Sequence, residues 1–81
     1  MDAELFREQV RVERKNFSFE LRENERGRFL RVTEDVGGWR DTIIIPASGL
    51  QAVRDILDHV IAASEKAGPL PPAPNGTPSS A

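Results

Sequence analysis

The hydrophobic positions of this chain change period and phase as they run, and each change predicts an element. Val10 and Val12 alternate with Arg11 and Glu13, the period-2 pattern of a half-buried strand, so a first strand is expected over about residues 8–13. After Arg14, Lys15 and Asn16 the apolar positions move to odd numbers: Phe17, Phe19 and Leu21 alternate with Ser18, Glu20 and Arg22, a second strand. Glu23 to Gly27 form the next connection, where Asn24 tolerates unusual dihedrals and Gly27 can take the positive φ of a tight hairpin. The third strand, Arg28 to Glu34, should turn Leu30 and Val32 to the core and Phe29, Arg31 and Thr33 the other way, because successive side chains alternate faces. Phe29 is therefore expected on the polar face.

Asp35 to Gly38, with two adjacent glycines, reads as a loop, and the β-branched run from Trp39 or Arg40 to Ile45 as a fourth strand ended by Pro46. The period then lengthens. Leu50, Val53, Ile56, Leu57, Val60 and Ile61 recur at three and four, which predicts a helix from about Ser48, as its cap, to Lys66, with Gly68 as the stop and Pro69 beyond it. Five of the six prolines follow Gly68 in a stretch without aromatic or charged residues, so 67–81 is expected to be a disordered tail. The division is thus an N-terminal segment 1–7, a β-β-β-β-α unit over 8–66, and the tail. The fold class is α+β: a four-stranded antiparallel meander with one helix.

Composition narrows what such a unit can be. About 60 structured residues bury a marginal core, and domains this small need disulfides, a metal or a partner chain. With no cysteine and one histidine, His59, disulfides and thiolate sites are excluded, leaving a homodimer as the expected support. There is no apolar run long enough to span a membrane and no secretory signal pattern, so the chain is expected to be soluble, intracellular and cytoplasmic, with a nucleus possible for a eukaryote. The formal net charge is −2, but its distribution is uneven. Between Arg11 and Arg31, seven basic residues face four acidic ones, a net of +3 that leaves −5 for the rest. A basic hairpin on an acidic body implies weak long-range steering and strongly salt-dependent phosphate binding.

Residues 22–32, RENERGRFLRV, place Arg22, Arg26, Arg28 and Arg31 with Phe29 around one glycine turn. Cations that follow a backbone, combined with an aromatic ring on which bases stack, are the means of sequence-tolerant single-strand binding. The competing reading is a solvated, salt-bridged sheet face, since these arginines interleave with glutamates. Trp39 beside Gly37 and Gly38 reads as a loop cap, and His59 as an ordinary helix residue. Asp55 and Asp58 are a wet helix face, with no nucleophile or metal partner. Gly37-Gly38 lacks the Lys-Ser/Thr and following helix of a phosphate loop. No acid–base pair, nucleophile arrangement or metal set is visible, so neither an enzyme nor a cofactor nor a small-molecule substrate is expected.

Three separated blocks, FSFEL followed by RENERGRFLRV, the TIIIPASGL strand-to-helix junction and the R-D-x-L helix (Arg54, Asp55, Leu57), resemble the PUR-domain family over roughly Val10 to Ile61, one repeat. That resemblance implies binding of single-stranded, purine-rich (GGN-like) DNA or RNA, a role in transcriptional or RNA regulation, and two repeats that exchange helices, here two chains in a homodimer. It adds Lys15 and Asn24 to Arg22, Arg26 and Phe29 as the contact set, with Glu13 at a position where a carboxylate repels phosphate. The candidate site is then Lys15, Arg22, Asn24, Arg26, Arg28, Phe29 and Arg31. The alternative within the same resemblance is a dimerisation module without significant nucleic-acid binding.

Overall fold

The computed structural model describes residues 2–72. Four strands, β1 (Ala3–Val12), β2 (Lys15–Asn24), β3 (Gly27–Val36) and β4 (Trp39–Pro46), form one antiparallel sheet in the order β1-β2-β3-β4. A single 3-10 turn, Ala47–Gly49, leads into the helix α1, Leu50–Lys66. The α+β meander expected from the alternation is therefore the observed one. Contacts divide the chain into two compact units, one up to Gln51 that holds the sheet and one from Ala52 that holds most of α1.

Each hairpin closes through two residues. Gly37 and Gly38 join β3 to β4 at φ +59° and +92°, conformations that a two-residue turn demands and that glycine adopts without a Cβ penalty. Asp35 fixes that turn by accepting the Gly38 N–H on Oδ1 at 3.1 Å. At the β2–β3 turn, Asn24 Oδ1 accepts the Arg26 N–H at 2.9 Å, so the side chain mimics a backbone turn. The β1–β2 turn is different in kind. Glu13 sits at φ +56° with no glycine to relieve it, and Arg11 Nε donates to its carbonyl at 3.2 Å.

Three boundaries differ from the sequence expectation. β1 begins at Ala3 rather than near residue 8, because its pairing with β2 continues past a register shift between Glu4 and Phe6. That bulge breaks the alternation, so the sequence period is lost just where the strand persists. β2 and β3 likewise extend to Asn24 and from Gly27, taking in most of the expected connection. Ser48 does not cap α1: it lies inside the 3-10 turn, where Leu50 N–H bonds the Ala47 carbonyl, and no side-chain cap is made. The far end follows expectation, with Ala67 and Gly68 N–H groups closing on Ala63 and Glu65 carbonyls and Gly68 at φ +100°. The expected disordered tail lies outside the described residues from 73 onward.

The register separates two sheet faces. Phe6, Val10, Val12, Phe17, Phe19, Leu21, Leu30, Val32, Ile43 and Ile45 share one; Arg7, Gln9, Ser18, Glu20, Arg22, Phe29, Arg31, Thr33, Thr42 and Arg40 share the other. No hydrophobic residue among those described is buried, and Phe6, Ile43, Ile56, Leu57, Val60 and Ile61 are all more than half exposed. Among the described residues the one that is buried is a carboxylate, Glu20. No described helix is long and apolar enough to cross a membrane.

Candidate nucleic-acid interface

The polar face is organised around Glu20, near the middle of β2. Its cross-strand neighbours are Arg7 on β1 and Arg31 on β3, and Arg22 stands two residues along its own strand, all on the same side. Three guanidinium groups converge on a single oxygen, Glu20 Oε1: Arg22 Nη1 and Arg31 Nη2 each donate at 2.9 Å and Arg7 Nη2 at 3.2 Å. Cross-strand opposition brings side chains within reach without backbone adjustment, and charge-assisted bonds of this kind are roughly twice as strong as neutral ones. The hydrogen bond from Arg31, with that from Arg22 and the charges of Arg31 and Arg7, holds the Glu20 carboxyl below its ordinary range against the opposing effect of burial.

Arg22 has further anionic partners, Asp2 Oδ1 at 3.2 Å and Glu4 Oε1 at 3.4 Å. Desolvation alone would lower its pKa; bonds and charge from Asp2 and Glu20 outweigh that and raise it. Beside this cluster the face opens into a polar trough of about 520 Å³ that runs from Arg7 and Gln9 across Ser18, Glu20 and Arg31 to Arg40 and Thr42. Thr33 and Thr42 hydroxyls meet across β3 and β4 at 3.3 Å, and Arg40 Nε donates to Asp35 Oδ2 at 3.2 Å.

The seven sequence candidates divide by position. Arg22, Phe29 and Arg31 lie on the polar face, with Phe29 opposite Arg22 on one side and Pro46 on the other and half-buried, as alternation required. Asn24 and Arg26 form the turn at the end of that face, and Arg26 makes no ion pair among the described residues. Lys15 and Arg28 fall on the apolar face, because they share the parity of Phe17 on β2 and Leu30 on β3. There Lys15 Nζ pairs with Glu34 at 2.8 Å and Arg28 Nε with Glu23 at 2.7 Å. Trp39 projects from the start of β4 at 84% exposure.

Arg7, Gln9, Glu20 and Arg40 were not among the candidates, although the structure makes them the body of the trough. Arg7 fell in a segment without visible period, and Glu20 was legible only as a polar position; their meeting requires the register. The salt-bridged face weighed against a binding face is also present, since the central arginines are ion-paired.

Comparison with known proteins decides the family. The family model described as PurA ssDNA and RNA-binding protein matches residues 2–68, most of the chain. The chain belongs to the PurA family. Transcription factor Pur-alpha 1 of Arabidopsis thaliana is 39% identical over 64 residues, which cover 79% of this chain. The chain spans 22% of that relative's length, so it corresponds to a portion of the larger protein. The family is one of nucleic-acid-binding proteins, and the match takes in all four strands and α1.

Proposed function

We propose that this PurA-family chain binds single-stranded, purine-rich DNA or RNA across the polar face of its sheet, as a homodimer in which two chains exchange helices, in transcriptional or RNA regulation. The observation that carries the reading is the coincidence of guanidinium groups from three strands with an aromatic ring, Phe29, on one face beside an open trough. Arg22 and Arg31 supply charge to the backbone, Phe29 a surface for a base, and Asn24 and Arg26 the end of the track. Arginine can also pair with the Hoogsteen edge of guanine, which suits a purine preference. Lys15 and Arg28, ion-paired on the opposite face, are left outside the contact set. The dimer is supported by the exposed apolar positions of both the sheet and α1, which a second chain would cover.

The test is fluorescence polarisation of a labelled GGN-repeat single strand at low and moderate salt, on wild type and on Arg22→Ala/Arg26→Ala. Loss of two phosphate contacts should flatten the dependence of log K on log salt by about 1.4, at about 0.7 per contact on a single strand. A wild type that binds no strand even at low salt leaves the dimerisation module as the function, a reading favoured by the neutralised arginine cluster.

A further inference from the structure

We infer that Glu20 occupies the position of a backbone phosphate on the polar face, and that this built-in anion limits how tightly the face takes a single strand. The inference rests on the nucleic-acid reading of that face and adds a regulator to it. Arg7, Arg22 and Arg31 close on Glu20 Oε1 within 3.2 Å, a convergence of donors that suits one oxygen of a phosphate as well as one of a carboxylate. With Asp2 and Glu4 on the same cluster, three guanidiniums face three carboxylates, and their charges cancel. The centre of the proposed track is therefore electrically neutral despite its arginines.

The three cations differ in availability. Arg22 is 18% exposed and held by three carboxylates, whereas Arg7, held by Glu4 and Glu20, and Arg31, held by Glu20, are 48% and 40% exposed and line the trough. A strand crossing the trough takes Arg7 and Arg31 from Glu20, or shares them with it, while Arg22 adds its charge to the strand without leaving Asp2 and Glu4. Arg7 becomes a strand contact that the hairpin motif does not include. Glu20 stays ionised throughout the neutral range, so it offers no neutral escape and competes at every physiological pH.

The experiment measures binding of the labelled GGN-repeat strand by the full chain as wild type, Glu20→Gln, Arg7→Ala/Arg31→Ala, and the three changes together. Glutamine keeps the shape and one acceptor oxygen but removes the charge. Binding should tighten by about 3–10-fold at low salt, as one unscreened charge at this range implies, and the salt slope should steepen by about 0.7. The gain should vanish when Arg7 and Arg31 are absent. Glu20→Gln binding equal to or weaker than wild type overturns the inference while leaving the binding face standing; no binding by either protein overturns both. A measurement on wild type alone needs no variant to fold: in ¹⁵N spectra of the arginine Nε–H groups, saturating strand should move Arg7 and Arg31 further than Arg22, whose Nε–H stays on Asp2. Bound strand with Arg7 and Arg31 unmoved overturns it.

Discussion

Dilution is the perturbation that most directly probes what holds this chain together. Eight apolar side chains, Phe6, Val10, Val12, Ile43, Ile56, Leu57, Val60 and Ile61, are between 46% and 59% exposed, and no described hydrophobic residue is buried. Full burial of such a side chain stabilises by about 1.5–3 kcal/mol, so covering the exposed half is worth about 1 kcal/mol each. For two chains that sums to about 16 kcal/mol, an upper figure, against about 4–15 kcal/mol lost in association. For the proposed homodimer, a net of several kcal/mol would place dissociation near the micromolar range. Folding would then be coupled to association, and each tenfold dilution would remove about 1.4 kcal/mol from the pair. With unfolding entropy of about 2.1 cal/mol/K per residue over roughly 130 ordered residues in two chains, Tm should fall by about 5 °C per tenfold dilution. Circular dichroism melts at 1, 10 and 100 µM, with sedimentation equilibrium at the same concentrations, measure this. A Tm constant to a degree over the hundredfold range, with a monomer mass, would refute the argument that these faces are covered by a second copy.

Backbone geometry and charge give further expectations. Glu13→Gly removes the φ +56° strain, worth about 1–2 kcal/mol, at an entropic cost of about 0.5–1 kcal/mol, so a melt should show a gain of about 0.5–1 kcal/mol. Gly38→Ala meets no atom within 4 Å of the added Cβ, yet at φ +92° it should destabilise by about 1 kcal/mol or more; an unchanged Tm would show that the turn relaxes freely. Glu20 has a folded pKa below its unfolded one, so its contribution is complete above the ordinary glutamate range near 4.3 and is lost as pH falls through the folded value. Denaturant melts of wild type and Glu20→Gln should therefore differ most near pH 6–7 and draw together as pH falls below the ordinary glutamate value of about 4.3; a difference independent of pH would remove the carboxylate's charge from the account.

Much of this protein was legible in the order of its residues, because alternation and helical spacing are local properties. The parity switch at Asn16, the glycines of the β3–β4 turn, Asn24 and Gly68 specify a four-stranded meander and the end of α1, and parity alone put Phe29 on the polar face beside Arg31. Parity also carried a consequence for the site, placing Arg28 with Leu30 on the apolar side. What local pattern could not supply is register. The two-residue turn at Glu13 and Arg14 sets the register in which Arg7 comes opposite Glu20, with Arg31 on the other side, and the bulge between Glu4 and Phe6 then brings Glu4 opposite Arg22. The sequence by itself determined which side chains point the same way. The tertiary structure alone decided which of them meet, and so turned one glutamate among thirteen acidic residues into the buried anion of the face, because cross-strand neighbours are set by hydrogen-bond pairing between segments that no short window of sequence contains.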